Sequence, residues 1–248
     1  MSLDVLPGER VALLGENGSG KTTLARLLVG LLRPTKGSIW LNGVDTATLT
    51  THEMAQQVGL VFQNPDHQLF LESVWDEVAF GPKNYRLAEQ EIEARVGAEL
   101  RRFDLWEHRH RLPAALSGGE RKSVAFASSF ALRPQVLLLD EPTKGMDFGR
   151  KRDLAEAANR LVAEGRTVFF ITHDVDFAYA STERAIVLRG GRVHEDGQTA
   201  AVLGDSDVTR AGLRRPATPR LLTLMQQGGL SPESILYQEI QRQLEGMP

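Results

Sequence analysis

Four runs of consecutive apolar residues punctuate the chain, each stopping at a polar or glycine-rich stretch: Val11-Ala12-Leu13-Leu14, Val58-Gly59-Leu60-Val61-Phe62, Val136-Leu137-Leu138-Leu139 and Val168-Phe169-Phe170-Ile171. Runs without polar alternation predict strands buried on both faces, and the helical segments between them predict a mainly parallel sheet. Ala185-Ile186-Val187-Leu188 gives one more strand, ahead of the turn Arg189-Gly190-Gly191-Arg192. Ser38-Ile39-Trp40-Leu41 runs into Asn42-Gly43, a strand entering a tight turn in a small antiparallel region, and Thr51 to Gln57 predicts a short helix. Roughly residues 74–132 read as an inserted helical subdomain, with Leu87 to Arg102 as its clearest helix and Val124, Ala127, Ser128 and Ala131 on one face of another. Val208 to Arg214 is also expected to be helical, and Pro216 and Pro219 mark a linker. Ser231 and Pro232 then open a last helix with Leu236, Ile240 and Leu244 on one stripe, which packs on its own domain or on a partner. The division is therefore a domain over 1–215 and a helical tail over 216–248.

The chemistry gathers where the apolar runs stop. Gly15-Glu16-Asn17-Gly18-Ser19-Gly20-Lys21-Thr22-Thr23 fits the phosphate-loop pattern at every fixed position, between a predicted strand and a predicted helix. Its glycines let the backbone curl with N–H groups inward, at the positive end of the new helix. Lys21 supplies a mobile cation for the β- and γ-phosphates, and the Thr22 hydroxyl can hold Mg²⁺. Ligands of parallel sheets bind beyond the carboxyl ends of the strands, so Gln63, Asp140, Glu141 and His173 are expected to emerge beside that loop. Leu116-Ser117-Gly118-Gly119-Glu120 carries both a capping box, Ser117 with Glu120, and a glycine pair that exposes backbone donors at a helix start.

Composition narrows the setting. The 248 residues are 42% hydrophobic and 25% charged, enough for one large α/β domain. A net charge of −3 gives no reason to expect a nucleic-acid partner, and the short basic clusters read as solvated faces. The absence of cysteine excludes disulfides, thiolate catalysis and cysteine-based zinc sites and suits a reducing compartment. No apolar run approaches the ~18 residues that cross a bilayer, so a membrane role is expected to run through a partner.

With these residues in view, the chain resembles the ATP-binding cassette (ABC) ATPases, P-loop NTPases, over nearly its whole length. The motifs arrive in family order: Walker A at Gly15 to Thr23, the Q-loop Gln63, the signature Leu116 to Glu120, Walker B at Val136 to Glu141, a D-loop at Lys144-Gly145-Met146-Asp147, and the switch His173. More narrowly, Val61 to Phe70, Val78-Ala79-Phe80-Gly81-Pro82 and Ala211-Gly212-Leu213-Arg214 with Pro216 resemble the ATPases of energy-coupling factor (ECF) transporters, including cobalt importers.

That resemblance implies ATP and Mg²⁺, with Thr22, Gln63 and Asp140 at the metal, Glu141 as general base and His173 at the γ-phosphate. It implies Ser117, Gly118, Gly119 and Glu120 reaching ATP from a second ATPase subunit, identical or paralogous. It further implies a membrane coupling protein and a substrate-binding membrane subunit, with this chain peripheral on the cytoplasmic face of the membrane and Asp66 to Phe70 beside the groove that receives the coupling helices. The solute, a vitamin or a transition-metal ion, is not encoded here. Two features depart from the pattern: the D-loop reads Lys-Gly-Met-Asp, as in the C-terminal halves of two-cassette members, and no aromatic residue precedes Trp40 to stack on adenine. Either the antiparallel subdomain is incomplete at its start or adenine is held differently. Base stacking contributes ~1–3 kcal/mol, so ATP binding is expected to be weaker by about 5- to 150-fold and less base-selective. The rival readings are an ABC ATPase outside transport and a nucleotide-gated regulatory module.

Overall fold

The computed structural model describes residues 1–204 together with 212–214, 216, 217 and 238. The apolar runs form the strands β1 (Arg10–Leu14), β4 (Val58–Val61), β5 (Val136–Asp140), β6 (Thr167–Ile171) and β7 (Arg184–Arg189). They lie in the order β4-β5-β6-β1-β7, all parallel, with β8 (Arg192–Gln198) antiparallel on the β7 edge. Side-chain alternation sends Leu137, Leu139, Val168 and Phe170 to one face and Val11, Leu13, Leu138, Phe169 and Ile171 to the other. Helices α5 (Gly118–Leu132) and α6 (Phe148–Ala163) cover the first face, and α1 (Lys21–Leu28) and α2 (Thr51–Gln57) the second. Helices on both faces are why these strands carry no polar alternation.

Beyond β7 the sequence signal fails. β8 reads Arg-Val-His-Glu-Asp-Gly-Gln, with one strongly apolar residue, because it is an edge strand. It is held by the paired guanidinium and carboxylate of Arg184 and Asp196, at 2.7 and 2.8 Å. The small hairpin is shorter than expected: only Trp40–Leu41 (β2) and Val44–Asp45 (β3) pair. The Asn42-Gly43 turn does form, with φ of 51° and 79°, as a two-residue hairpin loop requires.

The helices expected between 74 and 132 are α3 (Val74–Asn84), α4 (Glu89–Arg102) and α5. Helix α4 starts two residues later than the sequence reading, because Arg86 turns left-handed at φ 55° and Ala88 is the N-cap. The three share an apolar core of their own, including Val78, Val96, Leu100, Val124, Ala127 and Ala131. Helix α5 also sends Phe126 and Phe130 into the core under the sheet, so it belongs to both. Of Val208 to Arg214, the described residues Gly212 to Arg214 are not helical, and Leu213 is buried among Val175, Ala178 and Leu203. Pro219 and the stripe Leu236, Ile240 and Leu244 lie outside the described residues.

Gly81 shows how closely α3 and α5 pack: a Cβ there would lie 2.8 Å from Leu132 Cγ. Gly81→Val is expected to destabilise the fold by about 1–3 kcal/mol through overpacking, read from the urea midpoint. Leu132→Ala in the same chain should recover part of the loss.

Candidate active site

The phosphate loop is a backbone object before it is a set of side chains. Leu14 is fully buried at the end of β1, and Gly15 then takes φ 147°. A Cβ at Gly15 would stand 2.6 Å from Ser19 Oγ and collide with the Leu188 carbonyl, so the chain can turn here only without one. Gly18 and Gly20 follow at φ 80° and 106°, and Gly20 caps α1. The Gly191 N–H donates to the Ser19 carbonyl at 3.0 Å, which ties the loop to the β7–β8 turn. Glu16 and Asn17 lie exposed on the loop, and Thr22 and Thr23 are exposed on the first turn of α1.

Lys21 is buried, and its ammonium donates to the carbonyls of Gly15 at 2.6 Å and Glu16 at 3.0 Å. Burial lowers its pKa, opposed by the nearby charges of Glu141 and Asp140. The ammonium therefore lies within the field of both acids.

Those acids emerge at a junction of three strands. The Glu141 N–H donates to the Ile171 carbonyl at 2.7 Å, and the Thr172 N–H to the Leu13 carbonyl at 3.1 Å, so β1, β6 and β5 end in register. Glu141 itself adopts φ 47°, a left-handed conformation that costs about 1–2 kcal/mol in a non-glycine residue. Its carboxylate accepts from the Thr172 hydroxyl at 3.2 Å and meets His173 Nδ1 at 2.8 Å. The carboxylate is 13% exposed and the imidazole 66%, so the acid is shielded while the histidine faces outward. Burial, and then the neighbouring Glu141 charge, raise the pKa of Asp140, with Lys21 and Arg26 acting against them.

Thr22, Gln63, Asp140 and Gly118 line one cleft of about 500 Å³ beside the loop. A hydroxyl, an amide and a carboxylate are hard oxygen donors, and together they fit Mg²⁺ rather than a softer metal. The segment after Gln63 is fixed by side-chain contacts of Gln68 and Asp66, both inside the stretch Val61 to Phe70. Gln68 pairs its side-chain amide with the Phe62 N–H and the Leu60 carbonyl, at 3.1 and 3.2 Å, capping the free edge of β4. Asp66 accepts from Arg121 Nε at 2.7 Å, which ties this segment to the start of α5.

Ser117 and Glu120 form the full capping box: the Glu120 N–H donates to Ser117 Oγ at 3.3 Å and the Ser117 N–H to Glu120 Oε2 at 2.8 Å. The Arg150 guanidinium packs against Gly119. Ser117 and Gly118 remain exposed. The D-loop Lys144-Gly145-Met146-Asp147 follows the acids, turns at Gly145 with φ 75°, and ends where the Asp147 carboxylate accepts the Arg150 N–H at 2.9 Å to cap α6.

The phosphate loop, Gln63, Asp140, Glu141 and His173 are thus gathered at one end of the sheet. Thr172 and Arg121 were not anticipated, and neither was the contact that Gln68 makes, since such contacts are made in space and leave no spacing pattern.

Comparison with known proteins agrees with this geometry. Residues 1–144 match the family model described as ABC transporter. A cobalt import ATP-binding protein, CbiO, of Rhodobacter capsulatus is 43% identical over 87% of this chain and 78% of its own length. An energy-coupling factor transporter ATP-binding protein, EcfA, of Methanothermobacter thermautotrophicus is 39% identical over 92% of this chain and 75% of its own. Among solved structures, CbiO1 from Clostridium perfringens, part of the ABC transporter complex cbiONQ, superposes with a TM-score of 0.76 at 32% identity, covering 90% of each chain. The chain spans between 39% and 42% of the length of the first curated relatives it matches.

Gly15→Ala is expected to weaken nucleotide binding at least tenfold, about 1.4 kcal/mol, while the circular dichroism spectrum stays native. Titration with a fluorescent ATP analogue measures the loss.

Proposed function

Because the chain belongs to the ABC transporter family of ATP-binding proteins, we propose that it hydrolyses ATP to power an ECF-type importer of a vitamin or transition-metal ion. Support for hydrolysis comes above all from Glu141, whose carboxylate is oriented by Thr172 and His173 beside a complete phosphate loop. Support for the import branch comes from relatives named for cobalt import and energy coupling. Among the described residues no helix is long and apolar enough to cross a membrane.

In this reading the Gly15–Thr23 backbone N–H groups and Lys21 hold the β- and γ-phosphates, and Lys21 leaves its two loop carbonyls to do so. Thr22, Gln63 and Asp140 would hold Mg²⁺, which when bound neutralises charge on the same phosphates. Glu141 takes a proton from the attacking water as the water oxygen bonds to the γ-phosphorus and the bond to the ADP oxygen breaks. His173 exchanges its hydrogen bond with Glu141 for the γ-phosphate. The exposed Ser117-Gly118 edge, with Gly119 and Glu120, serves a nucleotide held by a second ATPase subunit. Gln63, tethered through Asp66 and Arg121 to α5, carries the nucleotide state toward a membrane coupling protein and its substrate-binding subunit.

Glu141→Gln should keep ATP affinity and lose turnover by on the order of 10²–10⁴. Phosphate release by the purified protein measures it, and unchanged turnover would remove Glu141 as general base. The import reading predicts that the chain, isolated from detergent-extracted membranes of its own host, brings an integral membrane protein with it. Recovery free of any membrane protein would count against that branch.

A further inference from the structure

The strained turn that carries Glu141 is held from the signature helix of the same chain. Lys122, in the second turn of α5, is 6% exposed, and its ammonium donates to the Glu141 carbonyl at 3.1 Å and the Lys144 carbonyl at 2.9 Å. The Glu141 carbonyl also receives the Lys144 N–H at 3.4 Å, and the Glu141 N–H is taken by Ile171. The peptide groups on both sides of this left-handed residue are therefore fixed, the carbonyl side by a charged donor from another helix. A charge-assisted bond to a backbone carbonyl is stronger than a neutral one. Without it the Glu141 carbonyl would keep only the long bond from the Lys144 N–H, in a conformation that is unfavourable for a side-chain-bearing residue. Lys122 also lines the cleft that contains Thr22, Gln63 and Asp140. Burial lowers its pKa to about 8, with the charge of Glu141 raising it and that of Lys144 lowering it further.

We propose that Lys122 is a positioning residue for hydrolysis: it clamps the Glu141–Lys144 turn, aims the Glu141 carboxylate, and makes that aim depend on the seating of the signature helix. This rests on the ATPase reading above, with Glu141 as base. A helix whose exposed first turn is presented to a second subunit would then bear, one turn later, on the base of its own chain.

Lys122→Met keeps the length of the side chain and removes its donors. Its turnover is expected to fall 10- to 100-fold, the range that follows from misplacing a reacting group by about 1 Å, while affinity for ATP without Mg²⁺ moves less than about threefold. Lys122→Gln, which retains an amide donor, should fall between Lys122→Met and the parent. The deciding comparison is the double variant. In Glu141→Gln there is no base to aim, so adding Lys122→Met should leave the residual rate unchanged. Full additivity of the two losses, or a Lys122→Met protein as fast as its parent, overturns the proposal. So does loss of nucleotide binding by both Lys122 variants, which would make the residue a requirement of the fold. A parent protein that binds ATP without hydrolysing it, both alone and with a paralogous cassette added, removes the ATPase reading and this inference together. A parent that hydrolyses, with Lys122→Met keeping pace, removes the inference alone.

Discussion

One backbone hydrogen bond, from the Glu141 N–H to the Ile171 carbonyl, decides how the cleft is built. It carries the pairing of β5 with β6 one residue past Asp140 and stops the chain there with Glu141 turned left-handed. Thr172 and His173 then reach the carboxylate from the neighbouring strand end, and the Thr172 N–H ties β6 to β1 just before the phosphate loop begins. A shift of β6 by one residue would reverse the faces of Phe169 and Phe170 and misplace His173. The burial of both sheet faces that fixes the register therefore also fixes the chemistry.

Helix α5 gives the second constraint. Phe126 and Phe130 anchor it under the sheet, while Val124, Ala127 and Ala131 anchor it among α3 and α4. A helix shared by two cores cannot move with one layer without disturbing the other, because packed cores respond in discrete steps. The Arg121–Asp66 pair and the Lys122 contacts leave from its first turns toward the segment after Gln63 and toward Glu141. Nucleotide contacts at Gly118 would thus bear on both sides of the cleft.

How much of this was legible in the chain follows from what each part is made of. The phosphate loop and the strand ends were readable because steric limits on glycine and two-faced burial leave marks in consecutive residues. Strand β8 was not, since an edge strand carried by Arg184 and Asp196 shows almost no apolar pattern. The shortening at β2 and the late start of α4 are boundary effects of local turns at Asn42 and Arg86. Thr172, Gln68, Arg121 and Lys122 act through contacts between residues distant in sequence or through backbone carbonyls. Nothing in the spacing of Thr172, Arg121 or Lys122 announces these contacts, and the stretch Val61 to Phe70 holds Gln68 without showing what it bonds.

On the proposed reading, a base aimed by His173 and Thr172 acts on ATP shared between two copies of this kind of cassette. The measurement that bears on it most directly is phosphate release per chain, at saturating Mg-ATP, across a wide range of protein concentration. Specific activity is expected to rise with concentration and level off as dimers fill, with the parent protein pairing either with itself or with an added paralogous cassette. A specific activity that is constant down to concentrations at which the chain is monomeric would contradict it.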